Sequence, residues 1–176
     1  LKRLEYRGYD SCGIAAVDVK NRLYLKRVSG RVDALDTLVG EEPVKGAHVG
    51  VGHTRWATHG APSEDNAHPH TDCSFQVVVV HNGIIENYLE LKEKLLGGGH
   101  KFKSETDTEV IAHIIEEKLK NLHVQEKAVR SDMLEPVFFE AFRRAVADLK
   151  GSFALSVIWA KCPGMILAAR MHSPLV

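Results

Sequence analysis

Val77-Val78-Val79-Val80-His81-Asn82-Gly83 opens with four β-branched residues and closes on an amide and a glycine. The valine run, entered from Gln76, reads as a buried strand. Strand ends commonly present site residues, which makes Asn82 and Gly83 candidates. An Asn side-chain amide beside a Gly N–H can form an oxyanion hole. Asn-Gly is equally a common turn, because both residues tolerate positive φ. The residue types alone leave both readings open.

Working outward, strands and helices alternate. Residues 13–17 and 23–28 read as two strands joined by a turn near Asp18–Arg22. Residues 32–39 have the apolar spacing of a short helix, and 47–53 read as a further strand. Residues 55–74, with Gly60, Pro62 and Pro69, read as loop. Asn87 is placed to cap a helix running to Leu96, which Gly97-Gly98-Gly99 would end. Thr106-x-x-Glu109 has the spacing of a capping box for a helix to about Lys120. Residues 131–135 read as a connector and 136–149 as an amphipathic helix. Strands at 153–159 and 165–170, turning at Pro163-Gly164, close the pattern. One α+β domain with short connections accounts for it.

Three further places can carry chemistry. His53-Thr54-Arg55-Trp56-Ala57-Thr58-His59-Gly60 crowds a guanidinium, an indole, hydroxyls and imidazoles into one loop. Arg offers a planar fork for a carboxylate, so the loop suits a small anionic or zwitterionic ligand. A polar surface loop with one packed Trp fits the same composition. In Ser104-Glu105-Thr106-Asp107-Thr108-Glu109, Asp107 falls in the first turn of the expected helix. It can accept a ligand ammonium or simply cap that helix. Six of the ten histidines lie within residues 46–83. A metal site at His53, His59, His68 and His70 has no Cys pair or Glu-bearing helix motif to accompany it, so none is expected.

Composition excludes several classes. Lys plus Arg number 23, as do Asp plus Glu, which removes any electrostatic reason to expect nucleic acid or an anionic membrane. No apolar run approaches a bilayer span. Cys12, Cys73 and Cys162 are odd in number and far apart, which argues against a disulfide framework and for a reducing, cytoplasmic setting.

Taken together, the motifs resemble the glutaminase domain of the glutamine–fructose-6-phosphate aminotransferase (isomerising) family, among the class II glutamine amidotransferases. The resemblance is carried by Leu4-Glu5-Tyr6-Arg7-Gly8-Tyr9-Asp10-Ser11 and by Gly52 through Gly60. It continues in Pro62-Ser63, Asn66-Ala67-His68-Pro69-His70, His81-Asn82-Gly83-Ile84-Ile85-Glu86-Asn87 and Ser104 through Glu109. A weaker match closes at Ala168-Ala169-Arg170 and Ser173-Pro174-Leu175-Val176.

The resemblance implies an N-terminal-nucleophile fold, a four-layer αββα sandwich of mainly antiparallel sheets. It implies hydrolysis of L-glutamine without a cofactor, with the ammonia passed to fructose 6-phosphate to make glucosamine 6-phosphate. Asn82 and Gly83 would hold the oxyanion. Arg55 would bind the glutamine α-carboxylate and Asp107 its α-ammonium. Trp56, Thr58 and His59 would line or close the pocket, and His68 would lie towards the sugar phosphate. A homo-oligomeric parent with sugar-isomerase domains is implied as well.

The departures set further expectations. The family's nucleophile is a Cys at the mature N-terminus, whose own α-amine serves as base. Leu1 is matched downstream of that position, so the chain reads as incomplete at both ends, lacking its first strand, and inactive by itself. Cys12 stands where the family usually has Ala and is expected to be core, and His172 stands where it usually has Gly. Three alternatives carry the motifs less fully: a non-catalytic glutamine-binding module, the glutaminase domain of another class II enzyme, and a zinc hydrolase built on the histidines.

Overall fold

A computed structural model describes residues 1–56, 60–122 and 131–175. A 3-10 turn, Lys2–Arg7, leads into strand β1 (Ser11–Asp18). Then come β2 (Leu23–Ser29), helix α1 (Val32–Glu41), β3 (Ala47–Arg55) and the short β4 (His70–Thr71). The rest is β5 (Val77–Ile85), α2 (Tyr88–Gly97), α3 (Glu109–Asn121), α4 (Leu134–Asp148), β6 (Gly151–Trp159) and β7 (Ile166–Met171). A second 3-10 turn, Ser131–Met133, runs into α4.

The strands form two sheets, ordered β2-β1-β3 and β4-β5-β6-β7, and every strand pair in them is antiparallel. Each sheet must cover both faces, and three apolar clusters show how. Ala15 and Val17 of one sheet meet Val78 and Ile158 of the other, with Leu23, Leu25, Val49 and Val51 around them. That seam joins the sheets face to face. The outer face of the first sheet packs Cys12 and Ile14 against Val32, Leu35 and Val39 of α1. The outer face of the second packs Val77, Val79, Phe153, Leu155 and Val157 against Val110, Ile111, Ile114 and Ile115 of α3. Phe138, Ala141, Phe142 and Ala145 of α4 and Leu91 and Leu95 of α2 complete this core. Successive residues of β5 therefore serve different layers, Val77 and Val79 facing helices and Val78 facing the opposite sheet, as the two-residue period requires. The order of layers is helix, sheet, sheet, helix, the expected four-layer αββα sandwich.

Four local readings are decided or changed. The valine strand runs on through His81, Asn82 and Gly83, which pair with Leu155, Ala154 and Phe153. Asn82-Gly83 is thus strand interior and not a turn, because β6 supplies pairing partners the sequence could not reveal. Residues 70 and 71, read as loop, pair with Val79 and Val78 as β4. Thr106 and Glu109 form no capping box. Thr108 is the residue before α3, without a side-chain cap bond, and Asp107 precedes the helix. The Glu109 carboxylate instead accepts from the N–H groups of Lys103 and Ser104 at 2.9 and 2.7 Å and from Ser104 Oγ at 2.6 Å. It folds the preceding loop back onto the helix. Asn87 likewise precedes α2 but accepts from Lys150 N–H and donates to Asp148 O, both at 2.9 Å, fastening α2 to the end of α4.

Candidate active site

The ends of β3 and β5 and the loop entering α3 surround one cavity of about 150 Å³. Arg55, Trp56, Asn82, Gly83 and Asp107 line it, and so does His68. The structure therefore brings together six residues singled out from the sequence. Thr58 and His59 lie outside the described residues.

Arg55 ends β3, paired with Ser11 of β1, and is almost fully buried. Its Nη2 donates to Gly60 O at 3.0 Å, and Nη1 stands 3.7 Å from Asp10 Oδ1. Those partners hold a flexible side chain in one orientation. Trp56 follows and is 61% exposed at the cavity mouth, its ring 5.5 Å from that of Tyr9. Asp107 is buried in the same lining, where its Oδ2 accepts the Ile85 N–H at 2.8 Å. A guanidinium and a carboxylate thus face one small space, suited to a zwitterion.

Gly83 has φ +123°, and a Cβ there would stand 2.1 Å from Ser152 O and 2.8 Å from Phe153 Cα. Only glycine fits a backbone that turns this way against β6. Asn82 is held from behind. Its Oδ1 lies 2.8 Å from His53 Nε2. The carbonyl oxygen accepts, so His53 donates from Nε2 and the Asn82 NH₂ is left to face the cavity.

His53 is one of four clustered imidazoles. Its ring stacks on His68 at 4.2 Å, and His68 meets His70 edge-on at 4.7 Å. The His81 N–H donates to His68 Nδ1 at 3.4 Å. His68 Nε2 and His81 Nδ1 lie 3.3 and 2.9 Å from Thr108 Oγ1. With Nδ1 of His68 accepting, its Nε2–H donates to Thr108, whose hydroxyl donates on to His81. Burial pushes all four imidazoles below their ordinary pKa, His81 to about 4 and His70 to about 3. Neutral rings packed this way form a rigid wall, and it ties β3, β5 and the α3 entry into one unit. Sequence reading named Arg55 and Asn82 but missed His53 and Thr108 as their supports. His53 and Arg55, two apart on a strand, share a face, and that spacing was the available signal.

None of the three cysteines lines this cavity. Cys12 is buried in the α1 core with Sγ 3.8 Å from Gly30 O, and burial raises its thiol to about 11. It is the inert core residue expected. A wider cavity, about 570 Å³, opens between α2, α3 and α4 among Glu90, Lys94, Glu117 and Lys118, with no comparable convergence of groups.

Residues 11–127 match the family model described as the glutamine amidotransferase domain. The chain belongs to that family. The amidotransferase domain is 49% identical over 176 residues to glutamine–fructose-6-phosphate aminotransferase (isomerizing) of Pyrococcus horikoshii, covering all of this chain and 27% of that protein. The same-named protein of Thermus thermophilus is also 49% identical, with 26% of it covered, and that of Methanococcus maripaludis 46%, with 28% covered. The chain spans about a quarter of the length of these relatives. In fold, the domain resembles the glutamine phosphoribosylpyrophosphate amidotransferase of B. subtilis, with a TM-score of 0.65 at 24% identity over 89% of this chain and 30% of that one.

Proposed function

We propose that the cavity binds L-glutamine and that the protein containing this domain passes the released ammonia to fructose 6-phosphate, making glucosamine 6-phosphate. The observation that carries the proposal is the convergence of Arg55, Asp107, Asn82 and Gly83 on one cavity. Arg55 takes the α-carboxylate and Asp107 the α-ammonium. Holding both charges fixes the side-chain amide against Asn82 and Gly83. The Asn82 NH₂ and the Gly83 N–H then donate to the oxygen that becomes negative when the amide carbon is attacked. Strand alternation supports this role for Gly83. The His81 N–H leaves β5 towards His68, and an N–H two residues on leaves by the same side.

Trp56, at the mouth, closes over glutamine, and the family resemblance assigns Thr58 and His59 to the same pocket. His68 is assigned to the sugar-phosphate side, and as a buried neutral ring it does not act there as a cation. None of this chain's three cysteines is the attacking thiol, since Cys12, Cys73 and Cys162 all lie off the cavity. The 176-residue polypeptide therefore binds glutamine without hydrolysing it. The ammonia acceptor and any oligomer belong to the longer protein that the relatives' name describes.

Calorimetry with glutamine tests the pocket. Asp107→Asn keeps the Ile85 hydrogen bond but removes the charge, and affinity should fall at least about tenfold. In the longer protein, Asn82→Ala should lower kcat about 10²–10³-fold with a smaller change in KM. Unchanged affinity in the first or unchanged kcat in the second would overturn the assignment. Glutamate release by the 176-residue polypeptide would overturn the claim about the thiol.

A further inference from the structure

Away from the glutamine cavity, four donor atoms from three parts of the chain meet behind α3. Cys73 follows β4, His100 follows α2, and His113 and Glu116 lie three apart on α3. Cys73 Sγ is 3.5 Å from His113 Nδ1 and 3.8 Å from His100 Nδ1. The two Nδ1 atoms are 3.4 Å apart. Glu116 Oε2 lies 3.1 Å from His100 Nδ1 and 3.6 Å from His113 Nδ1. All four donor atoms fall within 4.8 Å of one another.

These separations can be compared with those a metal imposes. Zinc binds sulfur at about 2.3 Å and nitrogen or oxygen at about 2.0–2.2 Å, so a tetrahedral ion spaces its donors about 3.3–3.6 Å apart. The cluster, with five donor separations of 3.1–3.8 Å, brackets that spacing. Its outer atoms match as well. His100 Nε2 faces Glu117 Oε2 at 3.1 Å, and His113 Nε2 faces Glu109 Oε1 at 3.5 Å. With the proton on Nε2, the atom that faces a carboxylate in each ring, the Nδ1 lone pair turns inward, the usual arrangement behind metal-bound histidines. The Lys101 N–H points at Cys73 Sγ from 3.3 Å, as a backbone donor does towards a metal-bound sulfur. Two lone pairs, a carboxylate oxygen and a sulfur are then all acceptors directed at one point. Such a set repels itself unless a cation stands among them.

We propose that Cys73, His100, His113 and Glu116 bind a structural zinc ion. Sulfur and imidazole donors at tetrahedral spacing select zinc over magnesium or calcium, which take oxygen ligands. Four protein ligands close the coordination sphere, so the ion fastens and does not catalyse. It clamps the β4–β5 turn and the loop after α2 to α3, whose entry carries Asp107 and Thr108. Of the histidines weighed as metal ligands from the sequence, His53 stacks on His68 and His68 meets His70 edge-on, while His59 lies outside the described residues.

The test compares the purified protein with Cys73→Ser and Glu116→Gln. Cys73 is exposed, so its serine variant should still fold, and glutamine retains the size and the carbonyl of Glu116. Elemental analysis should find one zinc per chain fewer in each variant. Cobalt(II) loading should give the wild type a thiolate-to-cobalt charge-transfer band, which Cys73→Ser lacks. Chelation should lower the wild-type melting midpoint by about 5 °C or more, zinc should restore it, and neither should move Cys73→Ser. Equal zinc in all three proteins, or a wild-type midpoint indifferent to chelation, would overturn the site and leave a protonated hydrogen-bond cluster. These readouts are independent of glutamine turnover.

Discussion

Replacing Gly83 by alanine tests the backbone argument at the centre of the cavity. The residue has φ +123°, a region that L side chains rarely occupy, and its new methyl would meet Ser152 O and Phe153 Cα at 2.1 and 2.8 Å. Forcing an unfavourable backbone conformation costs about 1–3 kcal/mol. Overpacking against a neighbour that cannot move adds about 1–3 kcal/mol, and these neighbours are backbone of β6, held by the ladder from Val77–Trp159 to Ile85–Gly151. The sum is about 2–6 kcal/mol, a large share of a domain's usual 5–15 kcal/mol. At a urea slope near 2 kcal/mol/M, the midpoint should fall by about 1–3 M. Gly97→Ala is the control. Gly97 ends α2 with nothing within 4 Å of its added Cβ, so alanine there should stabilise by about 0.5–1 kcal/mol. Equilibrium urea unfolding followed by circular dichroism reads both. A Gly83→Ala midpoint within about 0.3 M of wild type, corresponding to roughly 0.6 kcal/mol, would refute the reasoning.

Acid should weaken the fold before its carboxylates titrate. His53, His68, His70 and His81 are held neutral by burial, with His81 lowered to about 4 and His70 to about 3. The unfolded chain takes up these protons near pH 6.5 and the folded one only well below it, so stability is full above about pH 6.5 and declines as pH falls. Urea midpoints should therefore drop steadily from pH 6.5 to 5, and a flat profile would count against neutral rings. Phe138 and Phe139 separate burial from composition. Phe138 is 0% exposed and its ring lies 5.5 Å from Trp159, so alanine there should cost about 3–5 kcal/mol. Phe139 is 53% exposed, and its alanine variant should stay within about 0.5 kcal/mol of wild type. Similar losses at both positions would show the α4 face to be wrongly assigned.

Local pattern was legible where neighbours along the chain set the outcome. Two strands about the Asp18–Arg22 turn, α1, and the helix Leu134–Asp148 follow from periodicity and turn residues. Glu109 shows where that logic ends. Its spacing from Thr106 fits a capping box, yet its carboxylate folds back onto residues 103 and 104, since Thr106 Oγ1 lies 3.1 Å from His70 Nε2. A side chain offered a buried partner from a distant strand takes it in preference to the local cap. Asn82-Gly83, left open between turn and site by its residue types, is strand for the same reason, because β6 lies beside it.

The sequence by itself determined the family, through motifs long enough to identify together although each is ambiguous alone. It also marked most of the strands and helices, because apolar period is a property of the chain. Only the tertiary structure decided how Asn82 is held, since His53 is 29 residues away and the 2.8 Å bond exists only once the sheets pack. It alone assembled Cys73, His100, His113 and Glu116, whose separation along the chain hides a convergence within 4.8 Å. A ligand set is a relation among directions in space, and spacing along a chain records it only when one helix carries the whole set. Here α3 carries just His113 and Glu116.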